Sequence, residues 1–457
     1  MNIQPEQFNI SQYLGETFRC SCGRSHATSL QEVVIRSGAL GAIPELVKKY
    51  EHKNLLVVCD LNTYEAAGKQ VTELLEESGT AYRLHLYNTR DLVPDENALG
   101  SLSMAMSGGC DLLIAVGTGT LNDLCKYASF LAGIPYFIVA TAPSMDGFAS
   151  IGAALLCNNL KTTFDAHVPQ VVLGDVDVLC RAPMEMIAAG FGDTLGKHTC
   201  LLDWQIAHII NEEYYCPTIV QMVQVSLRRL MEQRQELPRR SPQAIACLME
   251  SLVLTGIAMS FSGNSRPASG CEHHLSHYWE MMFLFGNKKP VLHGAKVGVG
   301  AVLSCWMYHR LAHLPVDFDK ARQQVRAFDQ EGWALRMRRC FDKAGDGVIR
   351  LEEQTHKNGV DGALRRIDTI EAHWQDITAL IASLPSHEET AGILELVGAP
   401  FHPAQVGVDA KLMEDGVVCA KELRDRYTLF QLLWDLGLLD KMSTDVAQQY
   451  TQTATTV

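Results

Sequence analysis

Between residues 54 and 140 the chain switches hydrophobic period at short, regular intervals, and that alternation limits the folds open to it. "NLLVVCD" (54–60) is an apolar, β-branched run bounded by polar residues, the pattern of a buried strand. "TYEAAGKQVTELLEESG" (63–79) follows with helical spacing and stops at Gly79, a residue suited to a helix C-terminus. The alternation continues through strand "AYRLHLY" (81–87), helix "ENALGSLSMAMSGG" (96–109), strand "DLLIAVG" (111–117), helix "LNDLCKYASFLAG" (121–133) and strand "YFIVAT" (136–141). "QVVLGDVDVL" (170–179) reads as one further extended element. Strands alternating with helices of this length predict a parallel sheet covered on both faces.

From "APMEMIAAGFGD" (182–193) onward strand patterns become scarce. Long segments such as "SPQAIACLMESLVLTGIAMSFSG" (241–263) carry helical periodicity instead. The expected boundary lies near residue 180, dividing the chain into an α/β domain (1–180) and a helical domain (181–457), with "QQYTQTATTV" frayed at the end. A length of 457 residues supports two cores of this size.

Composition excludes several classes. No run of about 18 apolar residues stands out, so no transmembrane helix is expected. "MNIQPEQFNISQYLGETF" does not read as a secretory signal. Fourteen cysteines scatter without framework spacing, which in a chain of this size predicts free thiols in a reducing cytoplasm. A net charge of -13 argues against non-specific binding to nucleic acid or to an anionic membrane. The one basic cluster, "SLRRLMEQRQELPRRS", reads as a solvated helix surface. The expected partner is a small molecule, and an anionic one needs a local cationic pocket. A homodimer is the expected assembly.

"AVGTGTLND" (115–123) places glycines between a strand and a helix. Gly117 and Gly119 permit close backbone approach, and the helix start offers N–H groups to a phosphate. The loop lacks the third glycine of the usual dinucleotide fingerprint. Asp60, ending the first candidate strand, can accept hydrogen bonds from ribose hydroxyls or cap the helix that follows. "ATAPSMDGFAS" (140–150) closes another strand with small polar residues. Together these favour a dinucleotide site at one sheet edge.

"NSRPASGCEHHLSHYWE" (264–280) packs His273, His274 and His277 into five residues. On a helix His273 and His277 share a face, while His274 points roughly 100° aside. "GFGDTLGKH" adds Asp193, and "PVLHGAKVGVG" adds His293 at the start of a small-residue helix. One carboxylate and two imidazoles suit a catalytic divalent cation, with zinc, iron and nickel all admissible by ligand type. Lys197, Lys296 and Arg266 lie near these motifs and are candidates to bind an anionic substrate group.

The set "GTGTLND", "TAPSMDGFAS", "GFGDTLGK", "SRPASGCEHHLSH" and "HGAKVGVG" resembles the bacterial sn-glycerol-1-phosphate dehydrogenases, a family of the iron-containing alcohol dehydrogenase and dehydroquinate synthase superfamily. The resemblance spans most of the chain. It implies an N-terminal Rossmann-like parallel-sheet domain binding NAD(P) and a C-terminal all-helical domain binding metal and substrate. It also implies interconversion of dihydroxyacetone phosphate and sn-glycerol 1-phosphate. By motif, Asp193, His273 and His293 would hold the metal (nickel, zinc or iron), and His277, Asp146 and Asp193 would contact substrate. Asp193 and His277 would be catalytic. Asp60, Gly119, Thr120, Leu121, Asn122, Asp123, Thr141, Ala142, Pro143, Ser144 and Ser150 would line the nicotinamide cofactor. Thr118 departs from the superfamily, where glycine is frequent.

The same scaffold supports glycerol or alcohol dehydrogenases and a dehydroquinate synthase-type lyase. Asp60 favours NAD, since a carboxylate repels a 2′-phosphate, while Asn62 and Thr63 leave dual use open. "DKAGDGVIRLEE" (342–353) approaches a calcium-binding loop, but Ala344 and Arg350 occupy ligand positions, so a turn running into a helix is expected. "CSCGRSH" offers Cys20, Cys22 and His26. With no fourth ligand in view, it reads as a turn beside the first strand.

Overall fold

The structure, a computed structural model, describes residues 10–15, 17–157 and 160–453. Its contacts divide the chain into two compact units interleaved in sequence. One comprises Met1–Thr194, Cys216–Ala268 and Leu396–Gly398; the other comprises Leu195–Tyr215, Ser269–Glu395 and Ala399–Val457.

The first unit opens with a short antiparallel pair, β1 (Phe18–Arg19) and β2 (Ser25–His26). Its main sheet is built from β3 (Glu32–Arg36), β4 (Leu55–Asp60), β5 (Tyr82–Tyr87), β6 (Leu112–Gly117), β7 (Tyr136–Ala140) and β10 (Val171–Asp175). These run parallel in the order β3-β10-β7-β6-β4-β5. Every residue of β4, β6, β7 and β10 is buried, as expected of central strands with both faces covered. Edge strand β5 keeps most of its residues at least partly exposed. A hairpin of β8 (Gly152–Cys157) and β9 (Leu160–Asp165) lies outside the main sheet.

Each strand expected from 54 to 141 is present. β3 and the small hairpins were not anticipated, because two to six residues of mixed polarity carry little periodic signal. Only the first half of 170–179 is extended; Val176–Leu179 turns into a helical segment capped by Asp175.

The strand order reverses around β4. Sequence moves from β4 outward to β5, then back past it to β6, so the C-terminal ends of β4 and β6 flank the switch point where open α/β sheets bind ligands. Asp60 and Gly117 are the last residues of those two strands. The helix Pro242–Ser262 is long and apolar enough to cross a membrane, yet 83% of its apolar window is buried inside the protein. It serves as a core helix.

The second unit is helical. The helix Cys271–Phe285 packs along His293–His313, and their approach is close. A Cβ added at Gly300 would lie 2.6 Å from the Glu272 carbonyl oxygen, so a side chain there would push the two helices apart. The acid-rich stretch 342–353 is a single 3-10 turn, Asp342–Ala344, running directly into the helix Gly345–Thr355, with Asp346 paired to Arg338. No open twelve-residue calcium loop forms there. The C-terminal helix Leu439–Thr453 persists through most of the stretch expected to fray, and residues 454–457 lie outside the described part.

Candidate active site

In the first unit, the residues expected around a dinucleotide gather at the C-terminal edge of the sheet. The helix Gly119–Ala132 follows β6 after one residue, Thr118. Its first intrahelical bond runs from Asn122 N–H to the Thr118 carbonyl at 2.8 Å, so the N–H groups of Gly119, Thr120 and Leu121 precede the helical ladder. Gly117 is the glycine the turn demands, since a Cβ there would meet Leu121 at 2.6 Å. At Gly119 a Cβ would make only ordinary contact with Met145, at 3.7 Å.

Asp60 is buried and caps the turn after β4. Its Oδ1 accepts from Thr63 N–H at 2.8 Å, while the Asp60 N–H donates to Thr63 Oγ1 at 3.0 Å. One oxygen of the carboxylate thus holds the backbone in place.

Three other expected cofactor residues have structural duties. Lys126, wholly buried, donates to the Gly147 carbonyl at 2.8 Å, to Ser150 Oγ at 3.0 Å and to the Gly152 carbonyl at 3.0 Å. Asp123 lies 3.6 Å from this ammonium and accepts from Ala154 N–H at 3.0 Å. Asn122 donates to Asp123 and to the Gly147 carbonyl. Burial pushes the Asp123 carboxyl up and the Lys126 ammonium down, and each opposes the other's shift by its charge. The network ties the helix start to the 147–152 loop. Lys126 was missed in the sequence, although a lysine inside "LNDLCKYASFLAG" is an out-of-place cation on an apolar helix.

Thr141, Ala142 and Ser144 are buried in the loop after β7. Pro143 meets the helix Met184–Leu195 so closely that a Cβ at Gly190 would sit 1.9 Å from the Pro143 carbonyl oxygen. That contact brings the loop beside Asp193, whose Oδ2 accepts the Asp146 N–H at 3.0 Å. Asp193 is fully buried and Asp146 nearly so.

In the second unit, His273, His277 and His293 form one cluster of rings. Centroids lie 5.2 Å apart for His273 and His293, 5.4 Å for His277 and His293, and 5.9 Å for His273 and His277. His274 is wholly buried and takes no part in these ring contacts among the described residues. Nδ1 of His273 lies 2.7 Å from Glu272 Oε1, and Nδ1 of His293 lies 3.6 Å from Glu280 Oε1. The carboxylate at His273 Nδ1 sets its Nε2 as the ligand position, the usual outer-shell pattern of metal-binding histidines, whereas His293 Nδ1 has Ser276 Oγ at 3.5 Å and Glu280 beyond hydrogen-bond distance.

Glu272 itself accepts from the Gly270 N–H at 2.7 Å and from Thr199 Oγ1 at 2.6 Å. Burial opposes its ionisation, but the His273 ring and these donors outweigh it, holding the carboxyl below its usual range. Glu280 pairs with the buried Lys296 at 3.1 Å, and Lys296 also donates to the Val291 carbonyl at 3.0 Å. Lys296 is therefore committed inside the protein, a weaker candidate for a substrate anion than its place in the motif suggested. Lys197 and Arg266 are likewise buried.

Neither Glu272 nor Glu280 was singled out from the sequence. The signal existed: on the helix, 273, 276, 277 and 280 fall on one face, so a carboxylate at 280 shares it with two histidines.

Comparison with known proteins gives a consistent picture. The iron-containing alcohol dehydrogenase family profile matches residues 34–183. The chain is 34% identical to a glycerol-1-phosphate dehydrogenase [NAD(P)+] of Halalkalibacterium halodurans, over 91% of this chain and 95% of that one. It is 33% identical to the enzyme of the same name from Geobacillus thermodenitrificans, over 92% and 96%. Among solved structures, glycerol dehydrogenase from Schizosaccharomyces pombe superposes with a TM-score of 0.61 at 15% identity, over 94% of this chain and 93% of that chain, a similarity of fold.

Proposed function

Because the chain belongs to the glycerol-1-phosphate dehydrogenase family of iron-containing alcohol dehydrogenases, we propose that it interconverts dihydroxyacetone phosphate and sn-glycerol 1-phosphate with NAD(P), using one divalent cation held by Asp193, His273 and His293. The observation that carries the metal assignment is the convergence of the His273 and His293 rings, 5.2 Å between centroids, with the Glu272 carboxylate at His273 Nδ1. A carboxylate and two neutral imidazoles fit nickel, zinc or iron(II) and leave positions open for substrate. When bound, such a cation stabilises negative charge developing on the carbonyl oxygen, a contribution of several kcal/mol.

The chain's own residues do the rest. Asp193 is oriented by the Asp146 N–H, which fixes one of its oxygens. His277 shares the ring cluster, and in this reading it delivers a proton to the alcohol oxygen as it forms. The N–H groups of Gly119, Thr120 and Leu121 receive the cofactor's pyrophosphate, and the loop from Thr141 to Ser144 flanks it. Asp60 uses its second oxygen for the adenosine ribose and so favours NAD over NADP. Asn122, Asp123 and Ser150 act on this site by holding the loop through Lys126. Residues 1–180 bind the cofactor and contribute Asp146 to the substrate; residues 181–457 supply the metal ligands and the other substrate contacts. Lys197 and Arg266, buried like Lys296, remain the candidates from the motifs to offer positive charge to the phosphate.

The test is oxidation of NADH with dihydroxyacetone phosphate as acceptor, with chiral analysis of the product. The expected product is sn-glycerol 1-phosphate. Formation of sn-glycerol 3-phosphate, or faster turnover of an unphosphorylated ketone, would overturn the substrate assignment.

A further inference from the structure

Within the first unit, Cys20, Cys22, His26 and Cys216 bring four ligand atoms within 4.8 Å of one another. The fourth candidate ligand that "CSCGRSH" lacks locally is Cys216, 190 positions from His26 and beyond the reach of local sequence spacing. Three of the separations among these atoms match the edges of a coordination tetrahedron. Cys20 Sγ to Cys216 Sγ is 3.6 Å, Cys22 Sγ to His26 Nε2 is 3.4 Å, and Cys216 Sγ to His26 Nε2 is 3.5 Å. Bonds of about 2.3 Å to sulfur and about 2.0 Å to nitrogen around a tetrahedral zinc place sulfurs roughly 3.8 Å apart and sulfur and nitrogen roughly 3.5 Å apart. A disulfide would need about 2.05 Å between sulfurs.

The surroundings support ligation. His26 is buried, and its Nδ1 donates to the Phe261 carbonyl at 2.9 Å, which leaves Nε2 as the lone-pair atom facing the sulfurs. Cys216 is the N-cap residue of the helix Pro217–Gln233. Cys20 lies 3.2 Å from the hydroxyl of Thr218 in the same helix's first turn. Three elements meet at this point: the β1–β2 hairpin, the start of Pro217–Gln233 and the end of Pro242–Ser262.

We propose that Cys20, Cys22, His26 and Cys216 form a structural zinc site that staples the N-terminal hairpin to these two helices. All four positions are filled by protein, so the site is closed to substrate, and it shares no residue with the proposed catalytic set. Zinc binding converts three thiols to thiolates and releases three protons, leaving the site with one net negative charge.

The experiment uses the full-length protein purified with zinc and stripped of loosely held metal by EDTA. A mercurial reagent then releases thiolate-bound zinc, and X-ray absorption reports its ligands. The expected result is one mercurial-released zinc per chain with three sulfur neighbours and one nitrogen. Cys22→Ser, at the partly exposed corner, should lose that equivalent and melt at lower temperature while keeping NADH oxidation below its melting point. The proposal is overturned by three results: no sulfur-bound zinc in the wild-type chain, unchanged zinc content in the variant, or a Cys20–Cys216 disulfide in the native protein. The wild-type absorption spectrum decides the matter even if the variant does not fold.

Discussion

Glu272 and His277 separate holding a metal from moving a proton. Glu272 touches His273 Nδ1 and two other donors, so Glu272→Gln replaces an acceptor with a donor while leaving the ring in place. Loss of such an outer-shell carboxylate costs roughly 10–100-fold in metal affinity or activity, and added metal should restore part of the rate. His277→Ala removes the proposed proton donor without touching the ligand set. It should lower kcat by roughly 10²–10⁴-fold at unchanged metal content, measured by elemental analysis alongside steady-state kinetics. Metal lost together with activity in His277→Ala would make His277 a ligand.

Asp60 carries two roles that one substitution can part. Asp60→Ser keeps a capping oxygen for Thr63 N–H but removes the charge. The ratio of kcat/KM for NADPH over NADH should rise about tenfold with little loss of stability, and an unchanged ratio would remove Asp60 from the ribose. At this scale the sequence was most informative where a residue type has few uses. The histidines announced themselves. Glu272 and Glu280 passed unnoticed because acids next to polar residues look like ordinary surface. The site at Cys216 was hidden by the distance along the chain.

Between elements, close approach does the positioning. The helix bearing His273 and the helix starting at His293 meet at Gly300, and the loop after β7 meets the helix bearing Asp193 at Gly190. Gly300→Ala should cost roughly 1–3 kcal/mol in stability and weaken metal binding at the same time, since it displaces the backbone beside His273. Denaturant unfolding and metal titration of one preparation test both. A loss of stability with intact metal affinity would mean the helix spacing does not set the ligands.

The helical unit also contains a buried charge cluster away from these histidines in sequence. Glu422 accepts from Trp333 Nε1 at 2.9 Å, Asn358 Nδ2 at 3.0 Å and Lys421 Nζ at 2.5 Å, with Lys357 at 3.4 Å. Burial works against its ionisation, but Lys421 and Lys357 overcome it and hold the carboxyl down to about 2. A carboxyl depressed on folding adds stability above its ordinary value of 4.5, and that stability is lost as pH falls through about 2. Glu422→Gln should therefore lose roughly 3–5 kcal/mol at pH 7, with the gap to the wild type closing between pH 4.5 and 2. A gap independent of pH would show that the hydrogen bonds, not the charge, matter. The strand–helix alternation of 54–141 was legible because each element is long and strongly periodic. β3, β8 and β9 were not, because they are short and most of their described residues are partly buried or exposed rather than a buried apolar run.

At the scale of the whole chain, sequence distance and contact part company. Residues 195–215 belong with the helical unit, while 216–268 return to the unit that holds the sheet. The crossings at 215 and 268 fall in short loops, "EEYYCP" and "NSRPASG", but composition does not assign the flanking segments to one unit or the other, since both sides are helical and apolar. The family was legible through motif combinations far more than through the architecture, which sheet-and-helix patterns alone leave open to many chemistries. The measurement closest to the central claim is NADH oxidation by dihydroxyacetone phosphate before chelation, after chelation, and after re-addition of nickel, zinc or iron(II), with metal counted at each stage. Activity should vanish with the cation and return with at least one of the three metals, but Asp193→Asn, His273→Ala and His293→Ala should not recover. Full turnover by protein shown to contain no divalent cation would contradict the account.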